Sequence, residues 1–329
     1  METKGLAGKR TGWRLALALS LAAWTGGLAY AADYHAPHMP WGAPDLEGDW
    51  ASFSRTPLER PDGVTALTLS DAEAAALEKK LNQRIVHPAD DPLGQGESEW
   101  FPDAHLARVA GQARTSWITS PTDGRVPYTP QTRKLLDALR ARFATDFDNP
   151  EDRPPQERCL IGTRGVSGPP LLGALFPTNF QIVQTAGAVA ILSEVNHDVR
   201  LVRLNARHVP AAITPWMGDS IGWWAGKTLV VETTNFNPRD AFHVQFELSA
   251  NTRIVERFTR ISATQILYEF GVEDPTIYTQ PWRGEMVLTA SKDPIYEVAC
   301  HEGNYSLAGV LAGAREDEAK AANVKAVAK

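Results

Sequence analysis

Six consecutive residues near the C-terminus, Cys300-His301-Glu302-Gly303-Asn304-Tyr305, place an imidazole, a carboxyl and a phenol within five positions. Histidine titrates near neutrality, and an adjoining carboxylate orients the ring and raises its basicity, so His301 and Glu302 suit general acid/base chemistry. Gly303 allows a sharp turn beside them. The run is not a zinc-protease motif, because Tyr305 stands where H-E-x-x-H needs its second His. The plainer alternative is a strand end whose polar groups satisfy loop backbone. A second cluster, Glu194-Val195-Asn196-His197-Asp198-Val199-Arg200, centres on a turn at Asn196-His197-Asp198. Glu194 and His197, joined by His301, are the residues that could hold a divalent metal. Glu194 and His197 share a face only in a helix, however, and an ordinary polar turn is the simpler account.

Cys159 and Cys300 are the only cysteines. In an exported chain an isolated pair reads as one disulfide, and a reactive thiol is the alternative, since Arg158 and His301 flank the two positions. A bond would set the Cα atoms about 4.4–6.8 Å apart. Arg158 would then lie near His301 and Glu302, where a guanidinium clamps a carboxylate or stabilises a developing oxyanion. A structural Arg158–Glu302 ion pair is the competing reading. The closed loop is long enough for a stabilisation of about 4–5 kcal/mol in the chain-entropy picture.

A third feature is Trp216-Met217-Gly218-Asp219-Ser220-Ile221-Gly222-Trp223-Trp224. Trp216 and Asp219 are candidate substrate contacts, with Tyr305, in a pocket for a flat or sugar-like ligand. Alternatively the stretch plugs one end of a barrel. Residues 218–222 match G-x-S-x-G as a string. A strand rather than a helix follows, so Ser220 is not read as a nucleophile.

The elements that must position these groups follow from pattern. Residues 1–31 read as a secretory signal: Lys4, Lys9, Arg10 and Arg14, then an apolar run, then Ala29-Tyr30-Ala31. The run is shorter than the roughly 20 residues a spanning helix needs, so no membrane span is expected after cleavage. Cleavage removes four basic residues and one acidic one, taking the net charge from -6 to -9. With no basic excess, nucleic acid is not an expected partner. Prolines keep residues 32–68 extended, with Trp50 as a plug. Ser70 and Glu73 form a capping box ahead of a stripe of Ala74, Leu77 and Leu81. Thr129 caps a second helix with Pro130 at its first position and an apolar face of Leu135, Leu136, Leu139 and Phe143. Residues 87–128 read as irregular loop.

From residue 178 onward the composition turns to Val, Ile, Thr and aromatics. Strands are expected at 180–185, 188–193, 199–204, 228–234, 253–261, 265–272, 284–289 and 295–300. Ile266, Tyr268, Phe270 and Val272 alternate with Gln265, Leu267 and Glu269, the period of a half-buried antiparallel strand. The connections are too short for helical crossovers, so parallel pairing is not expected. The fold class is therefore mainly β: an antiparallel meander curled or closed into a lipocalin-like barrel, with two N-terminal helices and long loops. A single domain would cover 32–306, its helical part at about 69–150, with a helical tail at 307–329.

The ordered series GDSIGWWAGKTLVVETTNF, VERFTR, LYEFGVEDP, YTQPW and YEVACHEGNY resembles a family of exported bacterial proteins without an assigned reaction. The likeness covers residues 45–50 and 156–316 and implies an exported β-rich protein. Members of that family tend to carry acids in the segment that here reads Trp224-Ala225-Gly226-Lys227, so Ala225 and Lys227 receive no catalytic role.

Two functions fit. One is a periplasmic or secreted enzyme, a hydrolase, lyase or isomerase, acting on a small organic molecule at the barrel mouth. His301 would be the base, Glu302 or Glu194 its partner, and Arg158 the anion stabiliser. The other is a non-catalytic carrier of a hydrophobic ligand. No dinucleotide fingerprint or haem motif is present, so no organic cofactor is expected. The sequence leaves the oligomeric state open.

Overall fold

The computed structural model describes residues 34–82, 105–162, 166–172, 178–238, 246–298 and 300–327. The signal read at 1–31 lies outside them. The Pro-punctuated start yields one short strand, β1 (Gly48–Ala51). Trp50, expected as a plug, is buried in the main core, and its indole N–H donates to the Leu46 carbonyl at 3.0 Å. β2 (Thr68–Leu69) leads into α1 (Asp71–Asn82). The capping box forms, with the Ser70 N–H donating to Glu73 at 2.9 Å and the Glu73 N–H to Ser70 Oγ at 3.4 Å. Ala74, Leu77 and Leu81 pack on Leu106 and Ala113.

β3 (Arg108–Val109) and β4 (Gln112–Arg114) join β2 in a small sheet of order β2-β4-β3, and β5 (Ile118–Ser120) follows. The stretch expected to be irregular thus contains three strands. Each is too short to display a period, so the sequence hides them. Residues 87–104 of that stretch lie outside the described residues. In α2 (Pro130–Thr145) Thr129 Oγ1 accepts the Thr132 N–H at 3.1 Å. The inward stripe is Thr132, Leu136, Leu139 and Phe143, while Leu135 is 51% exposed. Successive helical residues are turned by about 100°, so Leu135 cannot share the stripe that holds Leu136.

Eight further strands complete the sheet: β6 (Asn179–Gln184), β7 (Ala188–Ser193), β8 (Val199–Leu204), β9 (Asp219–Ala225), β10 (Thr228–Thr234), β11 (Arg253–Ser262), β12 (Gln265–Glu273) and β13 (Trp282–Ala290). β1 pairs with both β6 and β13, closing a ring of nine, and β5 adds to the far end of the β13 edge. The closed barrel removes its own sheet edges. An odd ring cannot alternate direction all the way round. One junction must be parallel, and it is β8–β9. The expectation of wholly antiparallel pairing fails there, because the connection at 205–218 is long enough to cross over without a helix. β9 is also the strand hidden inside the Trp-rich segment read as a plug or pocket.

The strand expected at 295–300 does not form among the described residues. Val298 makes an isolated parallel bridge to Val195, the Tyr296 N–H is taken by the Glu194 carboxylate at 2.9 Å, and the chain turns into α3 (Cys300–Gly303). Asn304 Oδ1 accepts the Leu307 N–H at 3.2 Å and so starts α4 (Tyr305–Val327) two residues before the expected tail.

Inside the ring, Trp282 meets Phe246, Phe270 and Tyr278 edge-on at 5.5, 5.8 and 5.9 Å. Gly284 sits opposite Phe270, and a Cβ there would come within 2.4 Å of the ring. The absent side chain is what admits the phenyl group.

Candidate functional site

The parallel junction is short: only Val202, Arg203 and Leu204 pair with Ser220, Ile221 and Gly222. The same register continued would set Val199–Arg200–Leu201 against Met217–Gly218–Asp219. The chain turns away there, with Gly218 at φ +68° and its Cα pressed against the Thr234 carbonyl, where a Cβ would come within 2.7 Å. The strands part, and a cleft of about 410 Å³ opens between them. Leu160, Val199, Leu201, Trp216 and Met217 supply its apolar lining, and His197, Asp198 and Asp219 titratable groups.

His197 is exposed and left-handed (φ 54°), following Asn196 at φ 65°. Asn and His are both among the few non-glycine residues enriched in that conformation, so the pair forms the turn without a glycine. Asp198 holds the turn: its Oδ2 accepts the Gly162 N–H at 2.7 Å and its Oδ1 the Asn196 amide at 3.0 Å. Gly162 lies three residues after Cys159, so the loop tethered by the disulfide is also tied to the His197 turn.

Asp219 is held from several directions. Arg203 Nη2 donates to both of its oxygens at 2.7 and 2.9 Å, and the Val209 N–H to Oδ2 at 3.0 Å. His208 Nδ1 lies 2.8 Å from the same oxygen. Burial pushes this carboxyl up, and the bonds from Val209, His208 and Arg203 outweigh it, leaving it below the usual range. His208 Nε2 lies 3.2 Å from Glu232, which also accepts from Arg253 Nε at 2.7 Å. Arg253 reaches Glu273 at 3.4 Å.

Behind the cleft wall, Arg200 points into the barrel. Its guanidinium pairs with Glu256 through both terminal nitrogens, the Nη2 bond measuring 2.9 Å. Tyr268 donates to Glu256 at 2.7 Å and accepts the Leu171 N–H at 2.8 Å. Burial, with Glu256 beside it, raises the phenol well above its ordinary value. Burial works against the guanidinium charge of Arg200, and Glu256 outweighs it.

The expected disulfide forms, with the Cα atoms of Cys159 and Cys300 5.7 Å apart. The residues expected to gather around it do not all do so. Glu194 is buried and binds Asn179 Nδ2 at 3.0 Å and the Tyr296 N–H at 2.9 Å, so it stitches the chain leading to α3 onto the barrel. Arg158 faces Glu151 at 3.8 Å. His301 is exposed on α3, Tyr305 is 82% exposed, and the Glu302 side chain lies outside the described residues. The Asn304 amide donates to the Glu157 carbonyl at 2.8 Å. His197, Trp216 and Asp219 do converge, on the junction cleft. Ser220 faces inward, bonded to Thr233 Oγ1 at 2.8 Å, which removes the G-x-S-x-G string as a nucleophile elbow. Among the described residues no group of three or more His, Cys, Asp and Glu is placed to hold a metal ion, and the trio His197, His301 and Glu194 is no exception.

Sequence reasoning missed His208, Arg203, Glu232 and Glu256, and gave no role to Arg200 at the end of the second cluster. For Glu256 a signal exists: Ile254, Glu256 and Phe258 share one phase of a strand, which places a carboxylate among inward-facing apolar residues. His208 sits in a loop with no period, and nothing local distinguishes it.

The fold and site together define an up-and-down barrel with one parallel junction and a side-wall cleft at that junction. Among the described residues no helix is long and apolar enough to cross a membrane. The chain matches no family model, no curated protein and no solved structure.

Proposed function

We propose that this is an exported enzyme of the general acid/base type, acting on a small uncharged or hydroxylated molecule in the junction cleft. The observation that carries the reading is the meeting of His197, Trp216 and Asp219, from two distant segments, around one cleft. His197 offers an exposed imidazole in the cleft lining and is better placed as the base than His301. Trp216 offers a flat apolar face. Asp219, locked by its donors, gives the site a fixed polar edge. Export is supported by the leader, by the disulfide, and by the resemblance to exported bacterial proteins. The carrier reading draws less from the geometry, because the described inward positions of the barrel hold packed aromatic and aliphatic side chains.

The test is turnover of a chromogenic panel of p-nitrophenyl esters, glycosides and phosphates, with tryptophan fluorescence followed in parallel. His197→Gln should lower kcat/KM for the best substrate by about 10²–10⁴-fold, the usual reach of acid/base catalysis. Trp216→Ala should act mainly on KM. Unchanged kinetics in His197→Gln would overturn the assignment. Saturable quenching that Trp216→Ala abolishes, with no product formed, would install the carrier reading in its place.

A further inference from the structure

The crossover at 205–218 carries Trp216 and Met217 to the cleft but buries little itself. Arg207, residues 210–213 and Pro215 are exposed. A segment with few apolar contacts is held by its polar ties and belongs to the least stable part of a fold. Those ties include the Asn205 N–H on the Gly222 carbonyl at 2.8 Å, the Val209 N–H on Asp219 at 3.0 Å, the Asn235 amide on the carbonyls of Val209, Pro210 and Ile213 at 3.1, 3.4 and 3.4 Å, and His208.

His208 stands between two carboxylates. Nδ1 is 2.8 Å from Asp219 on β9, and Nε2 is 3.2 Å from Glu232 on β10. An ionised carboxylate only accepts hydrogen bonds, and a neutral imidazole has one donor nitrogen and one acceptor. Both contacts are hydrogen bonds only when both ring nitrogens carry hydrogen. Arg253 donates to the other oxygen of Glu232 through Nε and Nη2. The charged groups facing the ring therefore alternate in sign across five strands: Arg203 on β8, Asp219 on β9, His208 itself, Glu232 on β10, Arg253 on β11, and Glu273 on β12 beyond it. With the imidazolium in place every charge has an opposite neighbour. Without its proton, the ring presents a lone pair to one carboxylate.

We propose that His208 is a protonation-dependent latch: as imidazolium it pins the crossover to β9 and β10, and its deprotonation frees the loop and with it the Trp216 wall of the cleft. The latch concerns the loop itself and stands whether or not the cleft is catalytic. Its direction is fixed by the chemistry. Falling pH closes the wall, and rising pH releases it.

Hydrogen exchange of the full chain, read over 205–218 at acidic and alkaline pH and corrected for intrinsic exchange rates, tests this without any ligand. The wild type should lose protection on the alkaline side by about tenfold, the scale of one charge-assisted hydrogen bond. His208→Ala should show low protection at both pH values. Glu232→Gln keeps the loop tied at both, because its amide donates to the neutral ring nitrogen, and it also serves where His208→Ala fails to fold. Equal protection of the wild-type loop at both pH values, or a pH response retained in Glu232→Gln, would overturn the latch. Neither result touches the assignment of His197, which rests on turnover.

Discussion

The two sides of the barrel are built on different physics. On one side, β11, β12 and β13 run in long antiparallel ladders, from Arg253↔Glu273 to Ser262↔Gln265 and from Gln265↔Thr289 to Val272↔Trp282. Aromatic rings lock their inner face. On the other, β8 and β9 share three residue pairs, run parallel, and leave their ends apart. The tight side is held by burial and ladder bonds, the open side by ion pairs and loop ties. The difference locates the site. A closed odd-numbered ring has to spend one junction on parallel pairing, and that junction is where the wall opens and polar side chains replace apolar packing.

Arg200 and Glu256 join the two sides, since one stands on β8 and the other on β11. The sharpest way to break the contrast is to cut this tie. Glu256→Ala leaves Arg200 buried without its counter-charge and should cost about 3–5 kcal/mol, read by denaturant unfolding. A double replacement by Leu at both positions should recover most of that loss, because two buried charges are removed together. If Glu256→Ala unfolds like the wild type, the pair is no staple.

A smaller effect is expected within the tight side. Gly284→Ala drives a Cβ toward the Phe270 ring and should destabilise by about 1–3 kcal/mol through overpacking. A neutral result would show that the aromatic layer yields as easily as the open junction does.

The smallest effect belongs to the open side and depends on pH. The Asp219 carboxyl in the folded state lies below its usual range. A depressed folded value contributes stability above the unfolded value, lost as pH falls through the folded one. Thermal melts below about pH 4, the ordinary carboxylate range, should therefore fall more steeply in the wild type than in Asp219→Asn. Parallel acid limbs in the two proteins would remove Asp219 from its place as the hub of the junction.

The strands of the tight side were the most legible part of the chain. Ile266, Tyr268, Phe270 and Val272 alternate over a full strand, and a strand half buried on each neighbour must show that period. The caps at Ser70 and Thr129 were legible for a similar reason, since the donor and acceptor lie three residues apart in the chain. The open side was poorly legible. β9 carries two Trp and a glycine, and Gly218 just before it and Gly222 within it answer to distant partners, the Thr234 carbonyl and Val202. The expected gathering of Arg158 with His301 and Glu302, with Glu194 as the alternative partner, rests on one disulfide. A covalent link fixes two Cα atoms, not the direction of the neighbouring side chains, and Glu194 turned to serve Asn179 and Tyr296 instead.

Sequence by itself determined the β class, the helix caps and the pairing of the two cysteines, because each depends on residues close in the chain or on there being no other partner. Only the tertiary structure decided that nine strands close, which junction runs parallel, and that His197, Trp216 and Asp219 face one cleft while His208 lies between two carboxylates. Those outcomes follow from ring closure, a condition on the whole sheet that no local window of residues contains.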